Sequence, residues 1–277
     1  MHLTVNDAPP WTLRFLTDNW DAIAKDVKPG WMPVEGAAST ERRRLSDALG
    51  CGHYGCVFST NTPGLVMKVS SDPSEAEFIK AAIQIGDWPD GIVRYQAVLD
   101  LPGSHRNRPV FVIWREEAFE IGKVNADRHA YREFLAYHEA YRNAATYVRK
   151  LSVKPGFAAK LAAARRMEEW AWNNVIWEDG KSNAGYSRPP SQLQFLRFLP
   201  SQRLAAALRI CGICFDLMEH TDYAHEVGAA LGFYLDHGVL LADVHFQNIG
   251  KVTRSDPGYS PRVISVITDP GHAVFLR

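Results

Sequence analysis

The most informative stretch of the chain is Leu241-Ala242-Asp243-Val244-His245-Phe246-Gln247-Asn248-Ile249-Gly250. Asp243 and Asn248 have the DxxxxN spacing of phosphoryl-transfer sites, where the aspartate accepts the proton of the acceptor hydroxyl and the asparagine oxygen holds a metal ion. His245, two residues after the aspartate, could reach the transferring phosphoryl group. In an ordinary turn, however, Asp243 and Asn248 would only satisfy backbone groups. The rest of the chain separates these two interpretations.

A glycine-rich pattern, GxGxxGxV, is satisfied by Leu49-Gly50-Cys51-Gly52-His53-Tyr54-Gly55-Cys56-Val57. The glycine fingerprint of dinucleotide-binding proteins opens a helix, so that the pyrophosphate meets the helix N-terminus. Here the glycines precede residues 56–60, whose composition predicts a strand. This favours a hairpin whose backbone closes over the phosphates of ATP. The candidate nucleotide-binding residues are Gly50, Cys51, Gly52, His53, Tyr54, Gly55 and Val57.

A lysine on the next predicted strand could neutralise phosphate charge. Lys68 lies between apolar residues in Val66-Met67-Lys68-Val69, although an isolated strand lysine more often points to water. The helix that follows carries two carboxylates, Glu75 and Glu77, and either could hold the ammonium in place. They face different directions on the helix, and Glu75 could instead complete a capping box with Asp72. The choice between them stays open.

An aspartate follows the last predicted strand, in Val266-Ile267-Thr268-Asp269-Pro270-Gly271. Asp269 is placed to bridge Mg²⁺ to the β- and γ-phosphates of ATP, although an isolated Asp-Pro-Gly is usually a turn. The order of the elements favours phosphotransfer: glycine loop, strand lysine, helix glutamate, DxxxxN and strand aspartate. We therefore expect a site for ATP and Mg²⁺.

Composition and charge exclude several other classes of protein. The 277 residues include 31 basic and 31 acidic side chains, and this balance argues against dedicated nucleic-acid binding. No apolar run reaches the ~18–20 residues of a membrane span, and the N-terminus lacks the features of a signal peptide. Four cysteines in a chain of this length are expected to be reduced thiols, and Cys211-Gly-Ile-Cys214 lies in a helical pattern. We expect a cytoplasmic protein without a membrane partner.

The order of predicted elements indicates an α+β fold, with a small β-rich part before a larger helical part. An arm over residues 1–44 precedes both. In the β-rich part, a helix capped by Asp72 and a polar loop before residue 110 accompany strands predicted over 56–60, 65–69, 92–99 and 110–114. In the second part, the predicted helices cover 131–148, 158–174, 204–218 and 223–234, and the final strands cover 248–252 and 263–268.

These motifs resemble those of the protein kinase-like superfamily over about residues 45–274, and most of all the early serine/threonine protein kinases of short-tailed bacteriophages. Residues 49–54 match a Leu-Gly-x-Gly-His-aromatic loop. Asp243, His245 and Asn248 match Asp-x-His-x-x-Asn, and residues 267–270 match Ile-Thr-Asp-Pro. The resemblance implies a bilobal fold, with an N-lobe over 45–118 and a minimal helical C-lobe over 119–277.

The resemblance also implies roles for individual residues. Lys68 would contact phosphates, Asp243 would be the catalytic base, and Asn248 and Asp269 would bind Mg²⁺. Adenine would meet the backbone near residues 115–118, with Glu116 and Ala118 as candidates. The implied activity is transfer of the γ-phosphoryl group of ATP to a serine or threonine of a protein, which would be a host protein in the host cytoplasm if a phage encodes the chain.

The chain departs from the usual kinase pattern at three places. Leu241-Ala242 replaces His-Arg, Pro270 replaces the usual Phe, and the chain ends eight residues after Asp269. We therefore expect a C-lobe truncated after that aspartate, without a regulated activation segment. Two alternatives remain: a small-molecule phosphotransferase whose acceptor pocket lies in residues 152–200, with Trp170, Trp172 and Trp177, or a nucleotide-binding pseudokinase that acts through a partner.

Overall fold

The structure, a computed structural model, describes residues 10–32, 48–86, 88–120, 128–175, 198–221, 223–244, 248–255 and 260–276. The fold is mixed α+β, as predicted. The chain divides into a first unit, Met1–Trp88 with Val93–Glu117, and a second unit, Pro89–Ile92 with Ala118–Arg277. Among the described residues, the first unit has one sheet and the second has two smaller ones, and each unit has its own buried apolar side chains.

An antiparallel sheet forms the centre of the first unit, with strand order β1-β2-β3-β5-β4. The third strand is buried along its whole length, whereas buried and half-buried residues alternate near the end of the second strand. The hairpin predicted for residues 56–69 is confirmed by β2 and β3. The strands are β1 Gly50–Cys51, β2 Gly55–Ser59, β3 Leu65–Ser70, β4 Tyr95–His105 and β5 Arg108–Glu116.

The prediction of a polar loop before residue 110 is wrong, because most of these residues lie in paired strands. β4 and β5 continue to a two-residue turn, Arg106-Asn107, whose φ angles of 52° and 62° suit a tight hairpin. Pro102-Gly103 forms a bulge between Leu101 and Ser104. Because β4 is an edge strand, the proline removes no hydrogen bond that the sheet needs, and the strand passes through it.

Two N-terminal helices, α1 Pro10–Asp18 and α2 Trp20–Asp26, contribute to the core of the first unit. Leu16 and Ile23 are fully buried against side chains of the sheet. The indole of Trp114 donates to the Trp31 carbonyl at 2.8 Å, which fixes the end of this segment. The predicted arm therefore carries part of the apolar core, over the residues that the structure describes.

The helix predicted after β3 is confirmed as α3, Pro73–Ile85. The Asp72 carboxylate accepts from the Ser74 N–H at 3.0 Å, and Pro73 occupies the first turn, where no N–H is needed. Gly86 ends the helix in the left-handed region, with φ of 73°. These local signals explain why the helix begins and ends where the sequence predicts.

Helices dominate the second unit. The predicted helix over 158–174 is divided at Arg166-Met167 into two helices, and the other three predictions are confirmed within a few residues. Cys211 and Cys214 are buried, and burial raises the pKa of both thiols, so they pack as small apolar groups. The helices are α4 Arg128–Ser152, α5 Phe157–Arg165, α6 Glu168–Asn174, α7 Arg203–Glu219 and α8 His225–Asp236.

Two small sheets complete the second unit, and the predicted terminal hairpin is confirmed. One sheet pairs β7 Val239–Leu241 with β10 Ala273–Phe275, and the other has the order β6-β8-β9. Its strands are β6 Phe119–Glu120, β8 Ile249–Arg254 and β9 Arg262–Ile267. Among the described residues, no helix is long and apolar enough to cross a membrane.

Candidate nucleotide and phosphotransfer sites

The glycine-rich segment forms a hairpin, as predicted. β1 and β2 are joined through Gly52-His53-Tyr54, and the Gly52 N–H donates to the Gly55 carbonyl at 2.8 Å. The Tyr54 carbonyl accepts from the Ser71 N–H at 2.8 Å, which ties the turn to the end of β3. A Cβ on Gly55 would lie 1.8 Å from the Val69 carbonyl oxygen, so only glycine fits there.

A disulfide bond joins Cys51 to Cys56 across this hairpin, which makes the expectation of reduced thiols wrong for two of the four cysteines. The two residues are direct partners in the β1–β2 register, and their Cα atoms are 4.1 Å apart. Direct cross-strand partners present their side chains on the same face of a hairpin, so the two sulfur atoms can meet. Chain length and cysteine count do not contain this information, because it depends on strand register.

Lys68 lies at the centre of β3 and forms a buried ion pair with Glu75 of α3. Its Nζ is 2.7 Å from Glu75 Oε1, and the Ser70 hydroxyl donates to Glu75 Oε2 at 2.7 Å. Lys68 and Glu75 are 6% and 1% exposed, whereas Glu77 is exposed. The choice left open by the sequence is therefore settled in favour of Glu75. The Asp72 N–H, which a capping box would engage, donates to the Ser70 hydroxyl at 3.3 Å.

The predicted adenine-binding segment lies at the end of β5. The Glu116 N–H donates to the Arg94 carbonyl at 2.9 Å, and the Glu117 N–H donates to the Gly64 carbonyl at 2.9 Å. The Glu116 carbonyl accepts from the Arg115 guanidinium at 3.1 Å. Two backbone donors of the segment are thus already engaged, and adenine binding by Glu116 and Ala118 stays a prediction.

In the second unit, Asn248 and Asp243 are joined by a bond from a side chain to the backbone, which is the contact that the alternative of an ordinary turn predicts. Asp243 follows β7, Asn248 precedes β8, and the Asn248 Nδ2 donates to the Asp243 carbonyl at 2.9 Å. Because the amide nitrogen makes this bond, the amide oxygen is directed to the other side of the side chain. His245 lies outside the described residues.

Two buried side chains of α4 fix the same segment, and in the sequence both belong to the stripe of mainly apolar residues that predicts a helix over 131–148. The His138 Nε2 donates to the Val244 carbonyl at 2.7 Å, and the Tyr141 hydroxyl donates to the Leu241 carbonyl. Burial raises the pKa of Tyr141 well above its usual range, so the hydroxyl keeps the proton that it donates. The sequence signal for these contacts was the presence of two polar groups, those of His138 and Tyr141, on an otherwise apolar stripe.

Asp269 lies beside this segment because β8 and β9 are paired. Ile249 is opposite Ile267, and the Thr268 N–H donates to the Asn248 carbonyl at 2.7 Å. The Asp269 Oδ1 accepts from the Gly271 N–H at 3.0 Å. The strand pairing therefore places Asp269 directly after the residue that is bonded to the Asn248 backbone, within the same unit as Asp243.

A histidine that sequence reasoning missed also belongs to this cluster. His272 Nε2 is 3.9 Å from Asp243 Oδ2, and the His272 backbone has φ of 56°. The side chains of His272 and Asp243 are 29% and 40% exposed, so both are open to solvent. The only sequence signal was the position of this histidine directly after Asp-Pro-Gly.

The donor atoms of Asn248 and Asp269 suit Mg²⁺. Amide and carboxylate oxygens are the hard ligands that Mg²⁺ prefers, and this ion usually completes its shell with water and substrate phosphates. Within the described part of the chain, no three His, Cys, Asp or Glu side chains are grouped so as to hold a metal ion.

No protein-family model matches the chain, and no curated protein matches it significantly.

Proposed function

We propose that this chain is an ATP- and Mg²⁺-dependent protein kinase that transfers the γ-phosphoryl group to a serine or threonine hydroxyl. The observation that carries the proposal is the cluster of Asp243, Asn248 and Asp269, held by the Asn248–Asp243 hydrogen bond and the pairing of β8 with β9. A kinase-like fold, with an N-lobe over 45–118 and a C-lobe over 119–277, belongs to the proposal.

The Lys68–Glu75 ion pair supports nucleotide binding. A buried ammonium is costly unless a carboxylate compensates it, and at 2.7 Å Glu75 does so while fixing the position of the Lys68 Nζ. An ammonium fixed in this way can neutralise the α- and β-phosphates of ATP. In this proposal, the glycine hairpin, on the strands before Lys68, contacts the same phosphates through its backbone.

Asp243 performs the proton chemistry in this proposal. Its side chain is 40% exposed, so an acceptor hydroxyl can approach it from solvent. The carboxylate orients the hydroxyl and takes its proton as the oxygen attacks the γ-phosphorus. Mg²⁺ bound by Asn248 and Asp269 would neutralise charge on the β- and γ-phosphates. Most of the rate enhancement would come from this positioning and electrostatic stabilisation.

The test is incubation of the purified protein with γ-labelled ATP, Mg²⁺ and a bacterial lysate, beside Asp243→Asn. We expect label in protein bands with the wild-type chain only, and phosphoserine or phosphothreonine after hydrolysis of those bands. If the label appears only in metabolites, the protein kinase proposal is wrong and the chain is a small-molecule phosphotransferase. Binding of ATP without turnover of any acceptor would favour a pseudokinase.

A further inference from the structure

We propose that His272 is a positioning residue for the Asp243 carboxylate. The proposal deepens the proposed function and rests on it, because it assigns a group that prepares the base for the acceptor hydroxyl. His272 Nε2 lies 3.9 Å from Asp243 Oδ2, a separation that one water molecule or a small rotation of either side chain bridges. Oδ2 is thereby directed towards His272, and Oδ1 is left to receive the proton of the acceptor.

The backbone places this imidazole accurately. Leu241 is opposite Ala273 in the β7–β10 pair, and the Ala242 N–H donates to the His272 carbonyl at 3.4 Å. The residues that directly precede Asp243 are thus joined to the residues that flank His272. The imidazole and the carboxylate move as parts of one framework, which a positioning role requires.

The conformation of His272 is a second, independent observation. Its φ of 56° lies in the left-handed region, where glycine is favoured and most side chains cost free energy. Backbone strain of this kind is concentrated at functional sites. Histidine adopts this region more often than most residues with a side chain, so the turn tolerates the imidazole that faces Asp243.

The test uses His272→Gly, which removes the imidazole and suits the backbone. We expect kcat for phosphoryl transfer to fall about 10- to 100-fold, because a misaligned base is costly, while KM for ATP stays within about twofold. Added imidazole should restore part of kcat. The matched control is His225→Asn, since His225 Nε2 is 3.7 Å from Glu226 Oε1 in a comparable pair on α8; it should change neither constant.

Equal kcat for wild type and His272→Gly would overturn the positioning role, whereas absence of transfer by the wild type would contradict the proposed function. NMR of the histidine side chains separates the two failures. The imidazole resonance that disappears in His272→Gly should shift in Asp243→Asn whether or not the protein is active. If that resonance does not shift, the His272 assignment is wrong.

From a different observation, we infer that the Cys51–Cys56 disulfide controls nucleotide binding by the glycine hairpin. The bond closes a ring around Gly52-His53-Tyr54-Gly55, which are four of the seven candidate nucleotide-binding residues of the glycine-rich segment. Cross-linking limits the conformations of this backbone, so less conformational entropy is lost when phosphates bind. The bonded form is therefore the one with the higher affinity for ATP. This inference also rests on the proposed function.

The switching reaction is exchange with a dithiol. One thiolate of the dithiol attacks Sγ of Cys51, the more exposed cysteine, and the Cys51–Cys56 bond breaks as the Cys56 thiolate leaves and takes up a proton. The second thiol of the reductant then displaces Cys51 as a thiolate, which is also protonated. Two electrons have moved from the dithiol, which becomes a cyclic disulfide, and the hairpin has two thiols.

Thiol titration of the unfolded protein and calorimetric binding of Mg·ATP test the switch. We expect two titratable thiols before reduction and all four cysteines after it. The Kd for Mg·ATP should rise about three- to tenfold on reduction. The double variant Cys51→Ser/Cys56→Ser should show the Kd of the reduced wild-type protein both before and after reduction. Cys211→Ala should keep the rise in Kd on reduction. Two results would contradict the inference. One is the titration of four thiols after treatment with a mild oxidant. The other is a protein that binds ATP with the same Kd before and after reduction.

Discussion

Asp243→Asn is expected to lower the rate of phosphoryl transfer about a thousandfold, because the amide cannot accept the proton of the acceptor hydroxyl. The substitution keeps the size of the side chain and leaves the Asp243 carbonyl that receives the Asn248 amide. The affinity for Mg·ATP should therefore change little. Single-turnover transfer with γ-labelled ATP and calorimetric binding of Mg·ATP measure the two quantities separately.

A matched variant distinguishes this role from a general effect of lost charge. Asp236 is an exposed carboxylate at the end of α8, seven residues before Asp243. Asp236→Asn should keep wild-type transfer, ATP affinity and melting temperature. If Asp243→Asn retains full transfer in a preparation shown to contain no other kinase, Asp243 is not the base and the proposed chemistry fails.

Local structure was the part that the sequence predicted well. The cap at Asp72-Pro73 and the stop at Gly86 define α3 through contacts within a few residues. The β2–β3 hairpin follows from two apolar runs around a turn. In these cases the determining interactions are close in sequence, so composition and spacing contain them.

Side-chain partners from distant elements could not be predicted in the same way. Glu75 and Glu77 are two positions apart and point to different sides of α3, so only the docking of the helix against β3 decides which one meets Lys68. The Cys51–Cys56 bond likewise depends on register. Arg254 is buried against the Asp90 and Ile92 carbonyls, at 2.9 and 2.7 Å, across more than 160 residues of sequence.

The candidate site also combines contacts between residues close in sequence with contacts from a distant helix. Asp243 and Asn248 lie in one short segment, and the alternative of an ordinary turn anticipated that a side chain would bond to the backbone there. His138 and Tyr141, which hold that segment from α4, are about 100 residues away and follow the same stripe as apolar neighbours. Their role becomes visible only when the helix is packed against the backbone of residues 241–244.

Glu75→Gln is expected to lower the free energy of unfolding by about 3–5 kcal/mol, because it leaves the buried Lys68 ammonium without its compensating charge. Lys68 is 6% exposed, so water cannot replace the lost carboxylate. The Ser70 hydroxyl also loses a charged acceptor at 2.7 Å. Denaturant unfolding followed by tryptophan fluorescence measures the change.

Two further variants separate the structural role of this pair from its role in nucleotide binding. Glu77→Gln removes an exposed carboxylate from the same helix and should leave stability within about 0.5 kcal/mol of wild type. Lys68→Met/Glu75→Leu removes both charges, so it should recover much of the stability lost in Glu75→Gln while ATP affinity and transfer stay low. A double variant that is stable and still binds ATP with wild-type affinity would show that the ion pair serves the fold alone. Recovery of stability without binding is the expected result, because the fixed ammonium, and not merely a filled core, is what the phosphates require.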